Sequence, residues 1–232
     1  NCIKAGVNKE AFSKILFRDN IDSVLEENDI SIVIEATGNA QVGIKNAKKL
    51  IENNKNIIMV NIEADVVAGK YLSDLANKYN VIYSMAYGDQ PALILEQIEW
   101  GLVNGFDVIA AGKGTKYHES FKFSTPDTVW NHYGISSTDA YGANMNPKMF
   151  NSFITGDKSS IEMTAVVNGS HLEFPSKGLS YPAVSVKDIS KTIIPKSKGG
   201  ILDSRYQVEV ISSLNDNKEN INDDLRWGVF IV

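Results

Sequence analysis

Ser31-Ile32-Val33-Ile34-Glu35-Ala36-Thr37-Gly38-Asn39 is the stretch whose reading decides the fold. Its apolar run is short and nearly continuous, as in a strand buried on both faces, and such strands belong to parallel sheets. Downstream, Val42 to Ile51 is amphipathic with helical spacing, and Asn56-Ile57-Ile58-Met59-Val60 is a second buried strand. Tyr71 to Tyr79 then reads as a helix and Val81-Ile82-Tyr83-Ser84 as a third strand. Upstream, Ala11-Phe12 through Leu16-Phe17 and Ile21 to Leu25 carry apolar residues at helical spacing. The order β-α-β-α-β with short loops predicts an open, doubly wound parallel sheet. Ligands of such sheets sit beyond the carboxyl ends of the strands.

Farther on the rhythm changes. Ala92 to Val103 reads as a helix, and Phe106 to Ala111 as a strand that opens into Gly112-Lys113-Gly114-Thr115-Lys116-Tyr117-His118. Residues 124–151 read as loop-rich, Ser159 to Asn168 as a helix, and Gln207 to Ile211 as a β-branched run. A soft boundary near residue 95 separates the two halves. The chain opens at Asn1 and closes on Phe230-Ile231-Val232, an apolar strand-like run, so a piece of a longer protein is expected.

Composition narrows the class. With 232 residues, 43% of them apolar, and a net charge of −5, the chain can bury a core without metal or disulfide staples. The single Cys2 has no partner for an internal bridge, and no apolar run reaches the length of a bilayer span. A reducing, cytoplasmic setting without a membrane anchor is expected. The acidic balance argues against nucleic acid as a partner, because neutralising phosphates needs a clustered positive face.

The strand exits are where chemistry should sit. They read Glu35-Ala36-Thr37-Gly38-Asn39, Val60-Asn61-Ile62-Glu63-Ala64-Asp65 and Ala86-Tyr87-Gly88-Asp89-Gln90-Pro91. Each alone is compatible with an ordinary turn into a capped helix. Together, three small, polar exits in one sheet favour a dinucleotide site, since Gly and Thr let backbone approach a flat ring or a phosphate. No G-x-G-x-x-G fingerprint occurs, so the choice between NAD and NADP is not readable.

Two further constellations stand out. Gly112 to His118 gathers Lys113, Lys116, Tyr117 and His118 at a strand exit, which suits a small anionic, oxygen-rich substrate; a solvated loop is the plainer alternative. In Thr155-Gly156-Asp157-Lys158-Ser159-Ser160-Ile161-Glu162, Lys158 and Glu162 are spaced to share a helix face, and Thr155-Gly156 offers a helix N-terminus to an anion. A surface ion pair behind a capping turn is the alternative there, although lysine in a first turn opposes the helix dipole. No His or Cys pair has metal-ligand spacing. A divalent cation on Asp89, Asp127 or Asp157 has no support beyond the carboxylates themselves.

These segments, together with Ser124-Thr125-Pro126-Asp127-Thr128-Val129-Trp130, Ser152-Phe153, Met163 and Arg226-Trp227-Gly228-Val229, resemble the homoserine-dehydrogenase-like oxidoreductases of the 1-deoxy-D-xylulose 5-phosphate reductoisomerase-like type. The resemblance runs in order along the whole chain. It implies an α/β fold: a truncated doubly wound Rossmann domain over residues 1–95, lacking its first βαβ unit, then an α+β substrate and oligomerisation domain over 96–232. An SAF-like module often follows in the family.

The resemblance also implies reduction of a carbonyl by NADP(H) or NAD(H), with isomerisation of a sugar phosphate in the characterised type, and a homodimer or homotetramer. Cofactor-facing positions would be Thr37, Gly38, Asn61, Glu63, Gly88 and Pro91. The anionic substrate would meet Lys113, Lys116, Tyr117, His118 and Lys158, with Glu162 as supporting acid or base. Lys113 is the first candidate to polarise the carbonyl and protonate the alkoxide, and Lys158 the second. Homoserine dehydrogenases carry a lysine where this chain has Glu63, which weakens that activity. An amino or hydroxy acid dehydrogenase, or a nucleotide-sensing module without turnover, remain the alternatives.

Overall fold

A computed structural model describes residues 18–232. Cys2 and the helical stretch expected at 11–17 lie outside them. Helix α1 (Ile21–Leu25) starts at Asn20, whose side chain accepts from the Ser23 N–H. Strands β1 (Ile32–Glu35), β2 (Asn56–Met59) and β3 (Tyr83–Met85) form a parallel sheet in that order, with Ile34 beside Ile58 and Ile58 beside Ser84. Helices α2 (Ala40–Glu52) and α3 (Ile62–Tyr79) connect them. Asn39 and Asn61 cap these helices through side-chain oxygens, and Asn80 ends α3 in the left-handed conformation. Side chains alternate along each strand, so Val33, Ile57 and Met59 point to one face, under Ala47, Leu50, Leu72 and Ala76 of the helices. Ile32 and Ile34 point to the other face and are exposed.

The sequence places the start of the second helix at Tyr71, but α3 begins at Ile62, directly after the β2 exit. Its first half escapes a single-stripe reading because α3 packs on both α2 and a later helix, which spreads its buried positions around the cylinder. Helix α4 (Gln90–Val103) then crosses to a second sheet and spans residue 95.

In that sheet β4 (Ala110–Thr115) is central, parallel to β5 (Gln207–Ser212) and antiparallel to β6 (Val229–Ile231). The strand expected at 106–111 therefore lies farther along the chain, and Gly112-Lys113-Gly114-Thr115 is strand interior, not a strand exit. The glycines are the physical reason. A Cβ on Gly112 would sit 1.7 Å from the Glu209 carbonyl oxygen, and one on Gly114 would sit 2.1 Å from that of Leu225. They admit close backbone approach inside the sheet, a use of glycine that resembles a turn when read from sequence.

The segment expected to be loop-rich holds three short helices, α5 (Val129–Tyr133), α6 (Ser137–Gly142) and α7 (Pro147–Ile154), packed around Trp130, Phe121 and Ile154. Helix α8 (Asp157–Gly169) follows, and α9 (Ile189–Thr192) is a single turn. Met163 and Val166 of α8 join Ile94 and Ile98 of α4 and Val208 and Val210 of β5 in a shared core. The fold is α/β, with a parallel sheet and a mixed sheet. Among the described residues no helix is long and apolar enough to cross a membrane, and no group of three or more His, Cys, Asp or Glu side chains is placed to hold a metal ion.

Candidate active site

The three parallel strands of the first sheet end on the same side. At the β1 exit, Gly38 takes a φ of 67°, and a Cβ there would touch nothing within 4 Å, so the turn faces open space. Gly88 at the β3 exit is alike, with φ 97° and the same free approach. Asn61 ties the first two exits together. It is buried, its Oδ1 accepts from the Ala64 N–H, and its Nδ2 donates to the Asn39 carbonyl at 2.9 Å and to Thr37 Oγ1 at 3.4 Å. From below, Glu35 Oε1 accepts the Thr37 N–H, while the buried Oε2 has no partner. Pro91 is buried in the first turn of α4, behind Asp89, whose carboxylate caps that helix.

A cleft of about 500 Å³ opens at the β1 and β2 exits. Ala36, Gly38, Val60, Asn61 and Glu63 line one wall; Asn146, Lys148, Met149, Ser152 and Lys158 line the other. Glu63 is in the first turn of α3 and Lys158 in the first turn of α8, and their side chains meet across the cleft at 2.9 Å. The spacing of Lys158 and Glu162 suggests that they pair, yet each pairs elsewhere. Glu162 reaches one turn deeper, to Lys113.

That second pair is enclosed: Lys113 is 0% exposed and Glu162 3%. Burial pushes the Glu162 carboxyl up, against the opposing pull of Lys113. The pair can be reached from the sheet only because Lys113 shares the α8-facing side of β4 with Ala111. Ser159, also on α8, is fully buried with its hydroxyl unpartnered.

The other residues singled out in the sequence lie apart from the cleft walls. Lys116, just past the end of β4, donates to the His132 carbonyl over the Tyr133 ring. Desolvation, reinforced by Arg226, lowers its pKa. Tyr117 is buried and stacked on Tyr181 with ring centroids 4.0 Å apart, and burial raises its pKa. His118 starts a short 3-10 turn, Nδ1 accepting from the Ser120 N–H and Nε2 lying 3.2 Å from the Asp216 carbonyl oxygen. Thr155 donates its hydroxyl to Asp157, and the Gly156 carbonyl accepts from Tyr181. Both therefore serve to close the N-terminus of α8. A Cβ on Gly156 would lie 2.8 Å from the Tyr181 hydroxyl, which explains a glycine there.

Sequence reasoning missed Asn146 and Lys148 as cleft residues, read Met149 as core filling, and quoted Ser152 without giving it a role. The Asn146-Pro147 pair was the available signal: Asn146 accepts from the N–H groups of Lys148 and Met149, and proline occupies the first turn, so a helix start was legible inside the supposed loop. A larger cavity, about 1010 Å³, lies between β3, α4 and His171, lined by groups such as Tyr87, Leu95 and Leu102. It is mainly apolar and holds none of the charged side chains described above.

The donors of Asn61 and the open backbone at Gly38 are the groups at the cleft that could hold a nucleotide cofactor, with Glu63 and Lys158 beside them.

The family model described as oxidoreductase DRL, catalytic domain, matches residues 88–232. Among solved structures the chain is similar to a probable oxidoreductase, yhhX, at 20% identity and a TM-score of 0.36, over 48% of this chain and 33% of that one. It is similar to yvaA from Bacillus subtilis at 16% identity and a TM-score of 0.36, over 50% of this chain and 35% of that one. The chain thus spans about a third of the length of these two structures. No curated protein matches it at a significant level.

Proposed function

The chain belongs, through residues 88–232, to the oxidoreductase DRL catalytic-domain family, and from that membership we propose that it uses NAD(P)H to reduce the carbonyl of a small anionic substrate in the cleft between the strand exits and α7–α8. The substrate class we favour is a phosphorylated keto sugar, with isomerisation coupled to reduction, as the reductoisomerase-like resemblance implies. One observation carries the reading: Gly38 and Asn61, at the carboxyl ends of β1 and β2, share a cleft with Lys158 of the family-matched segment.

A reduced nicotinamide supplies a hydride for the carbonyl carbon. The protein must then bind the substrate, polarise its oxygen and deliver a proton. Of the two lysines on the cleft wall, Lys148 and Lys158, we assign the last two to Lys158, which already meets Glu63 across the cleft, because its ammonium donates hydrogen bonds and can pass a proton to the oxygen as negative charge develops there. Lys113 takes a different part. Enclosed with Glu162, it holds the buried face of α8 to β4, and so fixes the helix whose first turn presents Lys158. Asn61 fixes the two turns opposite, and its hydrogen bonds keep Thr37 and Asn39 in place for the cofactor.

Lys158→Met tests the assignment. With a panel of phosphorylated and unphosphorylated keto sugars and both reduced nicotinamides, followed by absorbance, the variant should lose at least about 100-fold in kcat. Cofactor affinity, read by fluorescence quenching, should stay within about threefold. An unchanged kcat on a substrate that the unaltered protein turns over removes Lys158 from the chemistry.

A further inference from the structure

Two charged side chains in the cleft are already joined to each other. Lys158 and Glu63 pair at 2.9 Å between the first turns of two different helices, and both are partly exposed, at 21% and 37% of their side chains. For Glu63 the position is favourable even without a cation, since a carboxylate at the start of α3 meets the positive end of that helix dipole. For Lys158 it is the reverse: an ammonium at the start of α8 opposes the dipole, so an anion is needed beside it. On the same wall stands Lys148, which has no ion pair among the described residues, together with Ser152 and Asn146.

We propose that this pair is an exchangeable latch: an oxyanion that enters the cleft takes Lys158 from Glu63, whether it is the substrate's phosphate on docking, with Lys148 on the same wall, or the carbonyl oxygen as negative charge develops on it. Glu63 is thereby the residue that sets how tightly anions bind. The inference rests on the cleft being the substrate site, and adds to it the group that anchors the anion and the competitor it must displace.

Magnitudes favour the exchange. A partly exposed ion pair is worth at most about a fivefold factor in an equilibrium, about 1 kcal/mol. An oxyanion between two lysines gains charge-assisted hydrogen bonds roughly twice as strong as neutral ones. The displaced Glu63 keeps the dipole of its own helix and contact with water, so its release costs little. Lys158, by contrast, passes from one carboxylate oxygen to a group bearing several acceptors.

Titration calorimetry with inorganic phosphate, on the full chain without cofactor, tests the latch directly. Glu63→Gln removes the competitor while keeping shape, and should tighten phosphate binding by about two- to fivefold. Lys158→Gln should weaken it by about tenfold or more, and in that background Glu63→Gln should change little, because there is no ammonium left to free. Lys148→Gln should also weaken binding. Phosphate binding that is unchanged or weaker in Glu63→Gln overturns the proposal, as does an absence of phosphate binding in both the unaltered protein and Glu63→Gln. Circular dichroism on each variant confirms the fold, and Glu63→Ala provides a second removal of the competitor with the same expected direction. Since neither cofactor nor turnover enters the measurement, a failed latch leaves the reductase reading standing, and a failed reductase reading leaves the phosphate result intact.

Discussion

Helix α8 carries two lysine–glutamate pairs, one turn apart, that differ in almost everything except chemistry. At its first turn Lys158 meets Glu63 in a cleft open to water; one turn on, Glu162 meets Lys113 with both groups almost fully enclosed. The open pair joins α8 to α3 and the first sheet, while the enclosed pair joins it to β4 and the second sheet. Solvent decides what each can do. An ion pair that water reaches is cheap to open, so its members remain free to meet a ligand. An enclosed pair cannot be opened without stranding a charge in a medium that does not solvate it. Thus the same two residue types serve exchange at one end of a helix turn and attachment at the other.

The largest effect expected from this contrast comes from breaking the enclosed pair on one side only. Lys113→Met keeps the length of the side chain and leaves the Glu162 carboxyl without its cation, so unfolding in urea should show a loss of about 3–5 kcal/mol. Replacing both partners, Lys113→Met with Glu162→Leu, should recover most of that loss, because an apolar pair of similar volume needs no desolvation of charge. A Lys113→Met protein as stable as the parent would mean that this pair is not enclosed, and the contrast with Lys158 would fall.

A smaller effect sharpens the same point with a buried carboxyl that has no cationic partner among the described residues. Asp65, on α3, is 5% exposed and accepts from the Tyr83 hydroxyl at 2.7 Å. Burial raises its pKa above the ordinary 3.8, with the Tyr83 hydrogen bond pulling the other way, and the Tyr83 hydroxyl is raised in turn by burial and by the adjacent acid. A raised carboxyl binds its proton more tightly folded than unfolded. Its contribution to stability is therefore full below 3.8 and is lost as pH rises through the folded pKa. Asp65→Asn keeps an oxygen for Tyr83 and has no proton to lose. Thermal unfolding across that range should show a flatter decline with rising pH than in the parent, with the variant gaining most at the alkaline end. An identical slope in both proteins would show that Asp65 titrates as it does when unfolded.

The first sheet was legible because its signals are local. Ile32-Val33-Ile34 and Ile57-Ile58-Met59 are short apolar runs, and Asn39 and Asn61 are the caps that end the loops after them. Gly38, Asn61, Glu63 and Lys158 were singled out from sequence, and the structure brings these four together in one cleft. What was not legible depends on neighbours distant in the chain. Gly112 and Gly114 look like a loop until Glu209 and Leu225 are known to lie against them. Lys113 looks like a strand-exit cation until β5 and β6 flank it and α8 covers it. The i, i+4 spacing of Lys158 and Glu162 describes a helix face correctly but cannot tell that a different partner stands closer to each. At the cleft wall from Asn146 to Ser152 only the cap at Asn146-Pro147 was a signal, because its helix has eight residues, too few for a periodic pattern to accumulate.

The contrast also needs its lower end. Lys70 and Asp74 pair on the outer face of α3 at i and i+4, with side chains 80% and 59% exposed, in the order that is the less favourable one for a helix. Water solvates both groups whether or not they touch, and holding two flexible chains in one geometry costs entropy that offsets the attraction. Lys70→Gln should therefore change the unfolding free energy by no more than about 0.5 kcal/mol, and added salt should erase even that. A loss well above 1 kcal/mol would mean that exposure does not rank the ion pairs of this protein, and the expected ease of opening Lys158 from Glu63 would lose its basis. A loss within the expected range sets the three pairs in one order, exposed, cleft-facing and enclosed, with the cost of breaking them rising as water is excluded.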